Sequence, residues 1–251
     1  MSSGYKGPAV VFDQVFKAFG SHQVLRNVSF SVPAGEALCI LGRSGTGKSV
    51  TLKLLIALLK PDRGTILVDG DDITRLKPSG LSKVRRKMGF LFQDAALFDS
   101  LTLYENLALP LARLTTKSPA EIDFAVNDVL RQVELEGDQG KLPSDLSGGM
   151  RKRAGLARAL VLEPKVLLAD EPSSGLDRIT ASEIDELLLR QKRDKGVTIL
   201  VVTHDVHGAR RVGDRFAVLD KGDLIACGTA AEVENSGRDT ARKLITEDYP
   251  A

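Results

Sequence analysis

Residues 42–49, Gly-Arg-Ser-Gly-Thr-Gly-Lys-Ser, match G-x-x-x-x-G-K-[ST], a loop whose backbone N–H groups wrap phosphate oxygens. With average residue usage the pattern arises by chance on the order of 0.01 times in a chain of this length. Gly45 and Gly47 let the backbone approach phosphate without a Cβ clash, and a following helix aims its N-terminal dipole at the charge. Lys48 is placed to reach the β and γ oxygens of a nucleotide, and the Ser49 hydroxyl to coordinate Mg²⁺. Further on come Leu146-Ser147-Gly148-Gly149-Met150 and an apolar run, Val166 to Ala169, that ends in Asp170-Glu171. Ser147-Gly148-Gly149 opens another helix, a second place where N–H groups and a positive dipole end can meet an anion. In this order the segments are far more specific than any one alone. Phosphoryl removal, the chemistry they point to, demands positioning and charge stabilisation rather than covalent work by the protein.

The elements that must hold these residues follow from patterning. Ala37 to Leu41 is a short apolar run feeding the loop, as in a buried parallel strand, and Lys48 to Leu59 has helical spacing closed by Pro61. Val10 to Phe16, Val24 to Val32 and Gly64 to Asp69 read as strands of a small antiparallel β lobe. After the strand Phe90 to Phe92, which ends at Gln93, strand signals give way to helices at about 102–114 and 119–133. Thr102 with Glu105 and Ser118 with Glu121 are capping boxes, the second reinforced by Pro119. From Val166 the alternation resumes: strand to Ala169, helix Ile179 to Arg193, strand Val197 to Val202, helix His207 to Val212, and a hairpin of Phe216 to Leu219 with Leu224 to Cys227. This predicts an α/β fold with a mostly parallel core, an N-terminal antiparallel β lobe and an inserted helical subdomain. One domain is expected over 1–251, with β lobe and core in 1–93 and 161–228, helices in 94–160 and a tail at 229–251.

Composition narrows the function classes. The 251 residues are 43% hydrophobic, enough for a large core, and the formal charge of +2 gives no basic field for nucleic acid. Arg85-Arg86-Lys87, Arg151-Lys152-Arg153 and the run from Arg190 to Lys195 read as solvated helix faces. No apolar run reaches the ~18 to 20 residues of a membrane span, and Met1 to Pro8 lacks an apolar signal segment. Cys39 in a strand and Cys227 in a turn form no metal-spaced pair, and His22, His204 and His207 lack zinc spacing.

Over roughly Val10 to Gly228 the chain resembles the ATP-binding subunit of ABC transporters, P-loop NTPases with a RecA-like core. Leu146 to Met150 and Phe92 to Thr102 look most like the ATPases of bacterial Mla and Mkl type lipid transport systems. The resemblance implies ATP and Mg²⁺ as ligands. Gly42 to Val50 would bind the phosphates, Phe19 would stack on adenine, and Asp170 with Ser49 and Gln93 would serve the metal. Glu171 would polarise the attacking water and His204, 33 residues beyond it, would contact the γ-phosphate. Gln93 and Lys48 complete the catalytic set.

By the same resemblance Ser147, Gly148 and Gly149 of one subunit cap the ATP of the other in a head-to-tail homodimer, and the loop Ser174 to Asp177 crosses that interface. An integral membrane permease would dock near 94–104, where Ala95, Ala96, Leu97, Phe98, Leu101, Leu103 and Tyr104 are unusually apolar; burial within the helical lobe explains them equally well. A lipid-binding partner, no nucleic acid, and a cytoplasmic place on the inner membrane face through the permease complete the expectation. The alternative is a soluble ABC ATPase that energises a scaffold such as iron–sulfur cluster assembly. A DNA-maintenance ATPase is disfavoured, because only about 98 positions separate Ser49 from Ser147, too few for a long coiled coil. Met150, Val50 and Arg178 depart from the wider family without removing a catalytic group.

Overall fold

The computed structural model describes residues 7–246. In chain order its strands are β1 (Val10–Phe19), β2 (His22–Val32), β3 (Ala37–Leu41), β4 (Arg63–Val68), β5 (Asp71–Asp72), β6 (Met88–Leu91), β7 (Val166–Asp170), β8 (Thr198–Thr203), β9 (Arg215–Asp220) and β10 (Asp223–Gly228). The helices are α1 (Lys48–Leu55), α2 (Pro78–Arg85), α3 (Leu103–Leu114), α4 (Pro119–Gln132), α5 (Gly148–Leu160), α6 (Arg178–Lys195), α7 (Val206–Val212), α8 (Ala230–Glu234) and α9 (Asp239–Thr246). The expected α/β fold is present. An antiparallel sheet runs in the order β2-β1-β4-β5, and a second sheet runs β10-β9-β3-β8-β7-β6. In the second, β9, β3, β8, β7 and β6 are parallel, and only the edge strand β10 is antiparallel.

β3, β7 and β8 are buried along their whole length, as expected of parallel strands covered on both faces. Their period-2 alternation divides them between two cores. Cys39, Leu41, Leu167, Ala169, Ile199 and Val201 pack with Leu107, Leu130 and Leu156 of the helical segment. Leu38, Ile40, Leu168 and Leu200 pack instead with Phe12, Val28 and Leu52. Each such Leu, Ile, Val or Phe side chain contributes about 1.5–3 kcal/mol on full burial.

Both expected capping boxes form: Thr102 and Ser118 accept from the backbone N–H groups of Glu105 and Glu121, whose carboxylates accept in return. α1 is shorter than predicted, ending at Leu55 where Ala57 turns into the left-handed region at φ 53°. α2, opened by Pro78 at its first position, lies in a stretch that the pattern reading passed over. β1 and β2 extend further than expected and meet in a tight hairpin at Gly20-Ser21. Cys227 sits in β10 rather than in a turn, and the last residues of the tail, 247–251, lie outside the described residues.

α5 is the return crossover between the neighbouring strands β6 and β7. It begins where those strands end, with Lys152 bonded to Gln93 and Glu171, and finishes beside Gly89, where Ala159 leaves no room for a Cβ. Thus α1, α5, α6 and α7 all start along the C-terminal edge of the parallel strands. Gly47 opens α1 with no side-chain cap and Ser147 caps α5, whereas α6 and α7 are capped by the carboxylates of Asp177 and Asp205.

Where α6 packs on α7, Asp185 is buried, and Gly208 leaves space for its carboxyl and that of Asp205. Burial first, and then the Asp205 charge, push the Asp185 carboxyl up to about 6 against the pull of Arg211 and His207. Its ordinary value is 3.8. Between those two values the folded state holds a proton that the unfolded chain has released, so stability conferred at low pH is lost as pH rises toward 6. Wild-type thermal stability is therefore expected to fall over that window relative to D185N. Parallel melting curves from pH 4 to 7 would exclude this origin.

Candidate functional site

β3 delivers the chain into the loop and α1 takes it away. Gly47 stands at φ 102°, and a Cβ there would lie 2.8 Å from both the Val24 carbonyl and a Leu25 methyl, so no other residue fits the cradle. The Lys48 ammonium folds back over the loop and donates to the carbonyls of Gly42 at 2.7 Å and Arg43 at 3.1 Å. Burial lowers its pKa, while Glu171 and Asp170 oppose that shift. Thr46 is buried with its hydroxyl donating to the Arg43 carbonyl, whereas Ser44 is exposed.

Ser49 Oγ donates to Asp170 Oδ1 at 2.9 Å across the gap between α1 and the end of β7. Burial raises the Asp170 pKa, and the Ser49 hydrogen bond lowers it. One hydroxyl and one carboxylate oxygen at this separation form a hard-oxygen pair of the kind Mg²⁺ takes, with the remaining positions left to water and phosphate. The residues therefore fit the metal.

Glu171 follows Asp170 in the left-handed region at φ 48°. Its Oε2 accepts from Thr203 Oγ1 at 3.0 Å, and His204 Nδ1 lies 3.0 Å away. The His204 side chain is 70% exposed, so the pair sits at the mouth of the site.

A cavity of about 690 Å³ is lined by Val24, Ser44, Gly45, Gly47, Lys48, Ser49, Val50, Gln93, Glu171 and His204. Residues distant in sequence converge there because the strands they follow adjoin: Lys48 comes after β3 and its loop, His204 after β8, Glu171 after β7 and Gln93 after β6. Phe19, outside that lining, stands 48% exposed at the hairpin tip with Lys17 Nζ 5.3 Å from its ring centre. That exposure excludes a core role closing the β lobe. Ser147 and Gly148 are also exposed and outside the cavity, while Gly149 is packed against Thr180. Within one chain the start of α5 thus does not line the cavity at the start of α1.

Lys152, read with its neighbours as part of a solvated face, is only 7% exposed and bonds the Gln93 carbonyl, the Glu171 carbonyl and Ser174 Oγ. Its signal was helical spacing, since Gly149, Lys152 and Leu156 share the buried side of α5. The apolar segment after Gln93 divides: Ala95 and Leu103 are buried, Leu97, Leu101 and Tyr104 half-buried, and Phe98 49% exposed beside Arg158.

A mostly parallel sheet with a phosphate loop at one strand end and an acidic pair at another defines a P-loop nucleotide hydrolase. The model of the ABC transporter family matches residues 25–174, and the chain belongs to that family as an ATP-binding subunit, an ATPase that uses ATP and Mg²⁺. The chain is 44% identical to the probable ribonucleotide transport ATP-binding protein mkl of Mycobacterium leprae, over 95% of this chain and 69% of that protein. It is 41% identical to the methionine import ATP-binding protein MetN of Caulobacter vibrioides, over 95% of this chain and 72% of that protein. Among solved structures it resembles the dimeric cassette MJ0796 in a post-hydrolysis state bound to ADP and Pi. That match has a TM-score of 0.81 and 35% identity and covers 88% of this chain and 98% of that one.

Proposed function

We propose that this chain is the energy-coupling subunit of a transporter that moves phospholipid or another hydrophobic substrate, acting as a head-to-tail homodimer on the inner face of the cell membrane. The observation that carries the catalytic part is the convergence of Lys48, Ser49, Gln93, Glu171 and His204 on one cavity, with Asp170 bonded to Ser49 and Ser147 to Gly149 left outside it. Lys48 and the loop N–H groups from Gly42 to Val50 hold the β and γ phosphates of ATP, and Phe19 stacks on adenine. Ser49, Asp170 and Gln93 hold Mg²⁺, which when bound neutralises phosphate charge. Glu171 orients water and draws its proton as the oxygen attacks the γ-phosphorus and the bond to the ADP oxygen breaks, with ADP leaving, while His204 donates a hydrogen bond to a γ-phosphate oxygen. The signature residues Ser147, Gly148 and Gly149 close over the partner's ATP, so nucleotide favours the closed dimer and hydrolysis loosens it.

The helical segment 94–160 acts as the signature-bearing subdomain of a single domain, and Phe98 with Leu97 supplies the apolar ground on which a permease helix docks. Among the described residues no helix is long and apolar enough to cross a membrane. The hydrophobic substrate is supported by the likeness of Leu146 to Met150 and Phe92 to Thr102 to lipid-transport ATPases. A polar substrate is the competing reading, favoured by the names of the relatives above. The test is to tag the chain, extract it gently from its native membrane and identify what copurifies. A multi-span permease with bound phospholipid supports the proposal. A permease with a nucleotide- or amino-acid-binding partner would replace the substrate class, and recovery only with a cytoplasmic scaffold would overturn transport.

A further inference from the structure

We propose that Lys152 is a positioning residue for ATP hydrolysis, its buried ammonium locking the signature helix to the peptide carbonyls that carry Gln93 and Glu171. This rests on the reading of Glu171 as the group that orients water. Lys152 stands on α5 one turn beyond Gly149, and its Nζ donates to the Gln93 carbonyl at 2.6 Å, the Glu171 carbonyl at 3.0 Å and Ser174 Oγ at 3.3 Å. An ammonium has three protons in a roughly tetrahedral set, and all three are used. The acceptors belong to three different segments: the loop after β6, the end of β7, and the turn leading to α6.

Two details show what the contact controls. Glu171 is held at φ 48°, which a non-glycine residue keeps only when its surroundings impose it, and Lys152 grips that residue's own carbonyl. Ser174 donates to the same carbonyl through Oγ at 3.0 Å and through its backbone N–H at 3.2 Å, so the oxygen has three donors. On the other side, Ala95 and Ala96 are also left-handed, at φ 59° and 52°, and α5 clasps this stretch along one stripe. Lys152 takes the Gln93 carbonyl, Gly155 admits Ala95 so closely that a Cβ would lie 2.7 Å from its methyl, and Arg158 donates to the Ala96 carbonyl. Residues 152, 155 and 158 face one way on a helix. The loop bearing Gln93 therefore follows α5, and Lys152 is the one member of the stripe that also reaches Glu171. A burial cost is accepted for a full charge whose partners are peptide oxygens and a hydroxyl rather than a carboxylate, as suits a spacer between backbones more than a simple ion pair.

The test compares wild type, K152M and K152Q for MgATP affinity, kcat and KM, each also in the E171Q background. Methionine keeps the length and apolar stem and removes every donor; glutamine keeps two. K152M is expected to lose on the order of 10- to 100-fold in kcat, the scale of a displaced catalytic group, with MgATP affinity little changed and K152Q intermediate. Acting through Glu171, K152M should add little to the loss already caused by E171Q. Unchanged kcat in both variants, a loss expressed as weaker MgATP binding, or full additivity with E171Q would each overturn the proposal. If K152M does not fold, K152Q is read by the same criteria. An E171Q protein that turns over normally defeats the reading of Glu171 instead, which the same data set reports separately.

Discussion

Replacing Glu171 with Gln is expected to leave MgATP binding close to wild type while cutting turnover by about 100- to 10,000-fold, the range carried by a positioned acid–base group. The amide matches the carboxylate in shape and can still accept from Thr203 Oγ1, so the left-handed backbone at Glu171 and the Lys152 contacts on its carbonyl stay in place. What it loses is negative charge and the capacity to draw a proton from water. Lys48 and Ser49 open α1, whereas Glu171 follows the end of β7, and on the proposed roles binding can persist where turnover fails. With hydrolysis blocked, the two nucleotides stay in the shared interface and gel filtration with MgATP should show a dimer. Phosphate release within about tenfold of wild type would remove Glu171 from the mechanism. A strictly monomeric E171Q protein would remove the shared site.

The Lys48→Ala protein should lose tight ATP binding altogether. Charged hydrogen bonds of the kind Lys48 offers phosphate are worth about 1.5–3 kcal/mol each, so losing one or two weakens binding by roughly 10- to 10,000-fold. The same change removes the Lys48 donor from the Gly42 and Arg43 carbonyls, of which Arg43 keeps the Thr46 hydroxyl, and stability should fall by about 1–3 kcal/mol. Titration with a fluorescent ATP analogue, alongside a melting curve, separates the two effects. Affinity within about threefold of wild type would contradict the role given to the ammonium.

Much of this site can be read without coordinates because phosphate binding depends on contiguous residues. The loop, the strand feeding it and the two capping boxes are local patterns, set by backbone geometry within a few positions. Lys152 escaped for the opposite reason: flanked by Arg151 and Arg153 it looks like solvated charge, and only the distant ends of β6 and β7 give its ammonium acceptors. The end of α1 was missed because Ile56 to Leu59 continue its apolar spacing while the backbone turns at Ala57. Phe19 and Phe98 show a related limit, since whether an aromatic ring faces solvent depends on how far a hairpin or a loop stands off its support.

Four helices open along one edge of the parallel sheet, and each brings a positive end to it. Asp177 and Asp205 spend two of those ends internally, on the N–H groups of α6 and α7. The other two, at Gly47 and Ser147, carry no acidic cap or acidic residue in their first turn. That division amounts to a charge map in which aspartate marks the helix starts closed to anions. A new Asp at Gly148 would therefore act as a tethered anion, competing with triphosphate for a place that the chain otherwise leaves open.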